Sequence, residues 1–129
     1  MKQDIKDGMI FYDDENPKEK VIVNFYSWVR LVEGIIVHYC HKSPEEARAL
    51  VESSAVYHHG VQSYIGAGMI SHEHEYNWAL FITYGNNYWE HGISSDVPID
   101  FYDWYNQFIL ENHLAEDTFD YFTEDEEDS

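Results

Sequence analysis

Histidine is the residue type whose spacing in this chain most directly suggests chemistry. Eight histidines are present, and six of them form three close pairs: His38 with His41, His58 with His59, and His72 with His74. The first pair has the i, i+3 spacing at which two imidazoles on one helix face can bind the same metal ion. The third pair flanks an acidic residue at a predicted helix start. Four residues are therefore weak metal-ligand candidates: His38, His41, His72 and His74.

The stronger motifs of metal-dependent and nucleophilic enzymes are absent from the sequence. The chain has no HExxH, CxxC or GxSxG pattern and no glycine-rich phosphate loop, so it lacks the usual signatures of zinc, serine and nucleotide chemistry. Cys40 borders an apolar stripe, and we expect a packed, inert thiol. We predict a protein without enzymatic activity and without a cofactor. A metal-binding or catalytic helical domain that uses the paired histidines is the alternative.

The acidic residues are distributed so unevenly that they provide the strongest functional signal. The formal net charge is −18, and all seven Lys and Arg residues lie within residues 1–48. Residues 49–129 contain sixteen acidic residues and no Lys or Arg. Such a surface repels nucleic acids and anionic lipids, which carry the same sign, and it attracts basic proteins. We therefore predict a basic protein partner and no direct contact with nucleic acid or membrane.

Two acidic segments near the C-terminus form the predicted partner-binding surface. One is a row along the last predicted helix, made of Asp96, Asp100, Asp103, Gln107 and Glu111. The other is the tail, whose predicted contact residues are Glu116, Asp117, Phe119, Asp120, Tyr121, Phe122 and Glu124. The carboxylates can imitate the charges along a nucleic-acid backbone. The three aromatic side chains of the tail either anchor a partner or fold back onto the helices.

This surface predicts a non-enzymatic binding protein that blocks a basic surface of a partner, such as a nucleic-acid-acting enzyme or a cationic toxin. The composition resembles that of phage and plasmid DNA-mimic inhibitors, and acidic immunity proteins bind cationic toxins in a similar way. No motif identifies a family. A small structural protein that dimerises through its first helix is a further alternative.

The elements that must position these residues are predicted to be helices. The expected fold is all-α, a single compact bundle of about four main helices with short connections. Their predicted ranges are 17–41, 43–66, 71–84 and 97–113, with one extra helical turn at 88–92. The helical domain covers residues 1–115, of which 1–16 form an irregular arm. Residues 116–129 are predicted to be an acidic tail that is partly disordered, at least over its last six residues.

The first predicted helix depends on an apolar periodicity. Asn16 is its predicted cap, and apolar residues recur every three or four positions from Val21 to Tyr39. We expect this stripe to face the core, with a homodimer seam as the alternative. In a second alternative, the segment VIVNF at 21–25 pairs as a strand with MIFY at 9–12 across DDENPKEK.

The later helix boundaries are predicted from capping residues. Ser43 and Pro44 supply the cap and the first position of the second helix, and acidic residues follow in its first turn. Gly66 and Gly68 are predicted to end that helix. Ser71 is predicted to start the third.

Cysteine usage and hydropathy predict the compartment. A lone cysteine excludes an internal disulfide and fits a reducing environment. The segment MKQDIKDG lacks the apolar region of a signal peptide, and no apolar run approaches the roughly 20 residues that cross a bilayer. We expect a cytoplasmic protein of one domain.

Overall fold

The chain folds into a mixed helical and sheet architecture, in a computed structural model that describes residues 5–85 and 87–123. Its elements in chain order are β1 (Met9–Tyr12), β2 (Glu19–Val23), α1 (Phe25–Tyr39), α2 (Pro44–Glu52), α3 (Ala55–His59), α4 (Tyr64–Ser71), α5 (Glu75–Tyr84), a 3-10 helix (Tyr88–His91), α6 (Phe101–Asn112) and β3 (Phe119–Thr123). The helices at 97–113 and at 88–92 were predicted from the sequence, and both are confirmed within a few residues.

The prediction of an all-α fold is wrong, because three antiparallel strands form a sheet in the order β1-β2-β3. β1 lies in the predicted irregular arm and pairs with β2 as a hairpin, with Met9 opposite Val23 and Tyr12 opposite Lys20. This hairpin is the alternative that pairs MIFY with VIVNF, although β2 ends two residues earlier than that segment. The predicted helix over 17–41 therefore begins too early.

The residues of β2 alternate as a strand requires, and this alternation explains the error. Val21 and Val23 are completely buried, whereas Ile22 between them is half-buried. Side chains of a strand point to opposite faces in turn, and β-branched residues fit that geometry well. Val21 also lies four positions before Phe25, so it matched the helical spacing by coincidence.

The third strand comes from the segment that was predicted as an acidic tail. β3 pairs with the central strand β2, with Phe119 opposite Val23 and Thr123 opposite Glu19. The aromatic residues of the tail thus fold back, onto the sheet and not onto the helices alone. Residues 124–129 lie outside the described residues, so the predicted disorder of the last six residues stays a prediction.

Helix α1 forms the centre of the core, as its apolar stripe predicted. Val29, Val32 and Ile35 have no exposed surface, and the helix packs against α2, α5 and α6. The aromatic ring of Phe25 stacks on that of Trp28 at 5.5 Å. Because the stripe is buried within the chain, a homodimer through α1 would have to use the exposed remainder of the helix.

The predicted second helix is divided into three short helices. Ser54 and Ser63 each cap a new helix, since their hydroxyl oxygens accept hydrogen bonds from the backbone N–H of Tyr57 (3.3 Å) and of Gly66 (2.9 Å). Gly60 ends α3 with a φ of 66°, which favours glycine. The two glycines predicted to end the second helix instead lie inside α4, because the cap at Ser63 lets a helix begin just before them.

The capping signals at two other helix starts gave different outcomes. At α2, the Ser43 hydroxyl accepts the N–H of Glu46 (3.1 Å) and the Glu46 carboxylate accepts the N–H of Ser43 (2.9 Å), which confirms the predicted start. Ser71 ends α4, and the next helix begins at Glu75 with His74 as its cap. Within the described residues, no helix combines the length and the apolarity needed to span a bilayer.

Candidate functional site

A groove brings together the start of α1, the turn between α4 and α5, one face of α6 and the segment that leads into β3. It encloses about 620 Å³ and is lined by Trp28, Ser71, Glu73, His74, Glu75, Tyr102, Tyr105, Asn106, Glu116, Asp117, Thr118, Phe119 and Tyr121. Four of these residues are acidic and five carry Trp, Tyr or Phe rings. None of the described lining residues is Lys or Arg. We call this site the acidic groove.

The start of α1 holds the acidic segment that forms one wall of the groove. The side chain of Asn24 donates a hydrogen bond to the backbone oxygen of Asp117 (2.7 Å), and its backbone N–H donates to the oxygen of Thr118 (2.8 Å). The N–H of Ala115 donates to the buried hydroxyl of Ser27 (2.8 Å). These bonds hold the backbone that carries the carboxylates of this wall.

His74 fixes the opposite wall by linking the start of α5 to α6. Its Nδ1 accepts a hydrogen bond from the N–H of Tyr76 (2.9 Å), and its Nε2 lies 2.8 Å from the hydroxyl oxygen of Tyr102. A neutral imidazole carries one N–H, so an accepting Nδ1 places the hydrogen on Nε2, which donates to Tyr102. The histidine therefore acts as a helix cap and a brace between two helices.

Buried aromatic and polar contacts form the floor of the groove. Trp28 is only 1% exposed and meets Trp78 edge-on at 5.9 Å. The indole N–H of Trp78 donates to the backbone oxygen of Ile70 (2.8 Å). The buried hydroxyl of Thr118 donates to the carboxylate of Glu75 (2.6 Å). Of the four acids, Glu75 thus has a structural role, whereas the others face the open groove.

Three carboxylates of the groove are available to a ligand. The side chains of Glu73, Glu116 and Asp117 make no hydrogen bond and no ion pair with any described residue. Glu116 and Asp117 are exposed and Glu73 is half-buried. A carboxylate without a local partner can form a charge-assisted hydrogen bond with an incoming cation without first breaking an internal one.

The pKa of Tyr105 reflects both the burial of its hydroxyl and the negative charge of the nearby acids. Its hydroxyl donates to the backbone oxygen of Glu116 (2.9 Å). Burial, together with Glu75, Asp117, Tyr102 and Glu116, raises the pKa of Tyr105 to about 12. The neighbouring acids thus oppose the formation of another negative charge. The same acids favour a positive charge that enters the groove.

Carboxylates among aromatic rings form an environment suited to a Lys or Arg side chain. The acids can accept hydrogen bonds from an ammonium or guanidinium group, and the ring faces attract cations. Tyr121, which lies at one edge, is fixed by a hydroxyl contact with Ser71 (2.7 Å) and by an edge-on contact with Tyr64 at 6.0 Å. The charge and the ring content of the groove are therefore chemically suited to a basic side chain.

The structure brings together only part of the predicted partner-binding tail. Glu116, Asp117, Phe119 and Tyr121 line the groove. Asp120 and Phe122 alternate with them along β3 and lie on the other face of the sheet, where the ammonium of Lys20 sits over the Phe122 ring at 5.7 Å. The remaining predicted contact, Glu124, lies outside the described residues.

The predicted acidic row on α6 exists, but it faces away from the groove. Asp100, Asp103, Gln107 and Glu111 are all exposed. On a helix with about 100° per residue, their common direction lies roughly 175° from the face that carries Tyr102 and Tyr105. Some of the row is engaged locally. Asp100 accepts a hydrogen bond from the Tyr39 hydroxyl (3.0 Å), and Gln107 donates to Glu111 (2.7 Å). Asp96 lies before the helix, in an exposed loop.

The histidine pairs do not form the arrangement that the sequence suggested. His38 lies on α1 and stacks on Trp104 at 5.3 Å. His41 follows the end of that helix with a φ of 59°, so the two residues do not share a helix face. His72 is the C-terminal cap of α4, whereas His74 is the N-terminal cap of α5. No group of three or more His, Cys, Asp or Glu residues that could hold a metal occurs in the part of the chain that the structure describes.

Several groove residues were missed by the sequence reasoning. Glu73 and Glu75 were assigned only to the first turn of a helix, and Tyr102 and Tyr105 received no role. No local signal relates these four residues, because they meet only when α6 packs beside the start of α5. The thiol of Cys40 is buried as predicted, and burial raises its pKa. The raised pKa disfavours the reactive thiolate.

Comparison of the chain with protein-family models, with curated proteins and with solved structures finds no match.

Proposed function

We propose that this chain is a non-enzymatic binding protein that blocks a basic surface of a protein partner through the acidic groove. The observation that carries this proposal is the groove's composition. Three carboxylates without local partners, Glu73, Glu116 and Asp117, lie among five aromatic rings. None of the described residues that line the groove carries a compensating Lys or Arg.

The acidic and the aromatic residues of the groove contribute to binding in different ways. Uncompensated charge accelerates the encounter with a basic partner and selects against acidic ones. Aromatic side chains in a preformed concave site supply the anchoring contacts that slow dissociation. An exposed acidic row on the far side of α6 extends the attractive field beyond the groove itself.

The expected partner is a protein that presents Lys or Arg side chains for its own function, namely a nucleic-acid-acting enzyme or a cationic toxin. Such a protein already has a positive cleft or surface, which the acidic groove would occupy in place of phosphates. A cytoplasmic location, expected from the lone cysteine, belongs to this proposal.

The test is affinity capture from host lysate at low salt with three immobilised proteins. The first is the wild-type chain. The second carries Glu73→Gln, Glu116→Gln and Asp117→Asn. The third is a control with the same change of charge at exposed acids outside the groove, namely Asp14→Asn, Glu45→Gln and Glu90→Gln. Bound proteins are eluted with a salt gradient and identified by mass spectrometry.

We expect the wild type and the control to retain one dominant basic protein that elutes at a sharp salt step. The groove variant should bind that protein at least about tenfold more weakly, since close charge pairs at interfaces contribute about 1.5 kcal/mol or more. If both triple variants elute alike, only the total charge matters and the groove is not the site. A smear of abundant basic proteins at low salt would contradict a dedicated partner.

Two other hypotheses have separate tests. A metal-binding or catalytic domain should purify with, or be reloaded with, stoichiometric zinc, iron or nickel. A dimeric structural protein should show twice the monomer mass in solution.

A further inference from the structure

A second cavity lies between α1, α2 and α6, roughly 110° around the α6 axis from the acidic groove. It encloses about 460 Å³, which is within the range of about 300–1,000 Å³ that small-molecule sites occupy. Its wall combines apolar and aromatic side chains with a few charged ones, including Arg30, Glu33, Arg48, Trp104 and Phe108. We call this cavity the arginine pocket.

Both arginines of the chain line this pocket. The guanidinium of Arg48 is exposed and has no hydrogen bond or ion pair with any described residue. Arg30 is half-buried, binds the carboxylate of Glu33 at 2.6 Å and lies over the Tyr26 ring at 5.3 Å. With Glu33 ionised, the lining side chains carry one net positive charge, in a chain whose net charge is −18.

The charged end of the pocket is incompletely satisfied. Glu33 is only 8% exposed. Its Oε1 is bound by Arg30, whereas its Oε2 and the Nε of Arg30 are buried and have no hydrogen-bond partner among the described residues. Burial raises the pKa of Glu33 even though Arg30 and Arg48 lower it. Buried polar atoms without partners are uncommon in folded proteins, and here two of them lie beside an unpaired arginine.

The other end of the pocket is lined by a stack of aromatic rings. The Trp104 ring stacks on His38 (5.3 Å, 17° between planes) and on Phe108 (4.9 Å, 26°). Gly34 lets Phe108 approach α1 so closely that a Cβ at that position would overlap its ring. The aromatic surface is therefore fixed in place by helix packing.

We propose that the arginine pocket binds a small organic anion with a planar apolar body, namely an aromatic carboxylate. The carboxylate meets the guanidinium of Arg48, whose fork matches it in two parallel hydrogen bonds. The ring of the ligand packs against Trp104 and Phe108, because aromatic rings prefer offset-stacked or edge-on neighbours. The chain as a whole carries a net charge of −18, so anions are attracted less strongly elsewhere on it.

The test is a titration of the full ¹⁵N-labelled chain with 2-naphthoate, monitored by amide chemical shifts. The neutral isostere 2-naphthamide is titrated in parallel. Shifts should be confined to α1, α2 and α6 around Gly34, Arg48 and Phe108. Naphthoate should bind at least about tenfold more tightly than naphthamide, because charge-assisted hydrogen bonds are roughly twice as strong as neutral ones.

Three variants separate the role of charge from that of the fold. Arg48→Gln should weaken naphthoate binding at least about tenfold, to the level of naphthamide. Arg48→Lys keeps the charge but loses the guanidinium fork, so its affinity for naphthoate should lie between those of the wild type and Arg48→Gln. Lys18→Gln is the matched control, since it removes one positive charge from a residue that does not line the pocket, and it should bind like the wild type.

The proposal is overturned by any of three results. The first is equal binding of naphthoate and naphthamide. The second is that Arg48→Gln binds naphthoate as Lys18→Gln does, and the third is that the shifted amides lie outside the pocket. The first result needs no variant, so it decides the question even if a substitution disturbs folding.

Discussion

The two sides of helix α6 carry similar aromatic surfaces and opposite charges. Tyr102 and Tyr105 face the acidic groove, whereas Trp104 and Phe108 face the arginine pocket. Four acids line the first cavity, and both arginines of the chain line the second. The rings provide anchoring in both places, so the difference in ligand preference depends on the charged residues beside them.

The difference also shows how a charge pattern along the sequence becomes a pattern in space. All Lys and Arg residues precede position 49, and α1 and α2, which carry the two arginines, pack on one side of α6. The acids of the C-terminal half reach the other side because β3 returns to the sheet beside the start of α1. A chain whose charges were mixed along its length would not separate them in this way.

The largest effect is expected from Trp28→Ala, because Trp28 supports the groove from within the core. The side chain is 1% exposed and packs against Phe25 and Trp78. Truncating a buried aromatic residue costs about 3–5 kcal/mol. In urea denaturation we expect a loss of this size. Trp89→Ala, at a position that is 52% exposed, should cost less than about 1 kcal/mol. Equal losses would contradict the assignment of the core.

Ser43→Ala should destabilise α2, one wall of the arginine pocket, more than the rest of the chain. It removes the hydroxyl that caps α2, which carries Arg48, and loss of a cap costs about 1 kcal/mol. Hydrogen exchange should increase in α2 and remain unchanged in β3. Ser53→Ala is the matched control, because the Ser53 side chain makes no hydrogen bond with a described residue. Equal destabilisation by both changes would show that the cap contributes nothing.

Two glycine substitutions compare the packing around α4, beside the acidic groove, with the packing of α1 on α6 at the arginine pocket. Gly68→Ala in α4 meets only the Tyr121 hydroxyl at 4.0 Å, so it should stabilise the chain by up to about 1 kcal/mol through helix propensity. Gly34→Ala has the same intrinsic gain but forces the Phe108 ring to move, which costs about 1–3 kcal/mol. Thermal unfolding should therefore rank Gly68→Ala above wild type and Gly34→Ala at or below it. The reverse order would contradict the close packing of α1 on α6.

The smallest effects are expected in the titration of two tyrosines, Tyr39 on α1 and Tyr105 on α6. Burial, followed by the hydrogen bond and charge of Asp100, raises the pKa of Tyr39 to about 12. Burial and the groove acids do the same for Tyr105. Asp100→Asn should lower the pKa of Tyr39 only. Glu116→Gln with Asp117→Asn should lower that of Tyr105 only. Ring resonances followed from pH 9 upwards measure both, and a change in both tyrosines from either variant would contradict their separation.

The raised pKa values of Tyr39 and Tyr105 determine how the free energy of unfolding changes at alkaline pH. Their pKa values in the folded chain are about 12, above the ordinary value of 10.0, so the folded state holds the protons more tightly than the unfolded state. Their contribution is fully present below pH 10 and is lost as the pH rises through about 12. Urea denaturation at several alkaline pH values should show this decline, and Asp100→Asn should reduce its slope.

Local signals predicted the elements that depend on neighbouring residues. The start of α2 follows from Ser43 and Glu46, which bond to each other across one turn. The core face of α1 follows from its apolar spacing. The helix caps at Ser54 and Ser63 were also visible in the sequence, but a continuous apolar period across them concealed the breaks. Capping residues and apolar spacing together could therefore have predicted most of the helices.

The sheet and the groove could not be predicted in the same way. β3 pairs with β2 across about a hundred residues of chain. Four of the five residues of its sequence FDYFT favour a strand, but the acids on both sides of this short segment concealed that signal. Only this pairing brings Glu116 and Asp117 beside Glu73 and Tyr105. The acids were predicted to form a binding surface from their number, whereas their division between the groove and the outer row of α6 required the fold.

The most direct test of the account compares two probes that share one ring system and differ in charge. The labelled chain is titrated with 2-naphthoate and, separately, with 2-naphthylmethylammonium. We expect the cation to shift amides of the acidic groove around Glu73, Tyr105 and Asp117, and the anion to shift those of the arginine pocket around Gly34 and Arg48. If both probes shift the same residues, or if neither selects a cavity, α6 does not separate two sites of opposite charge.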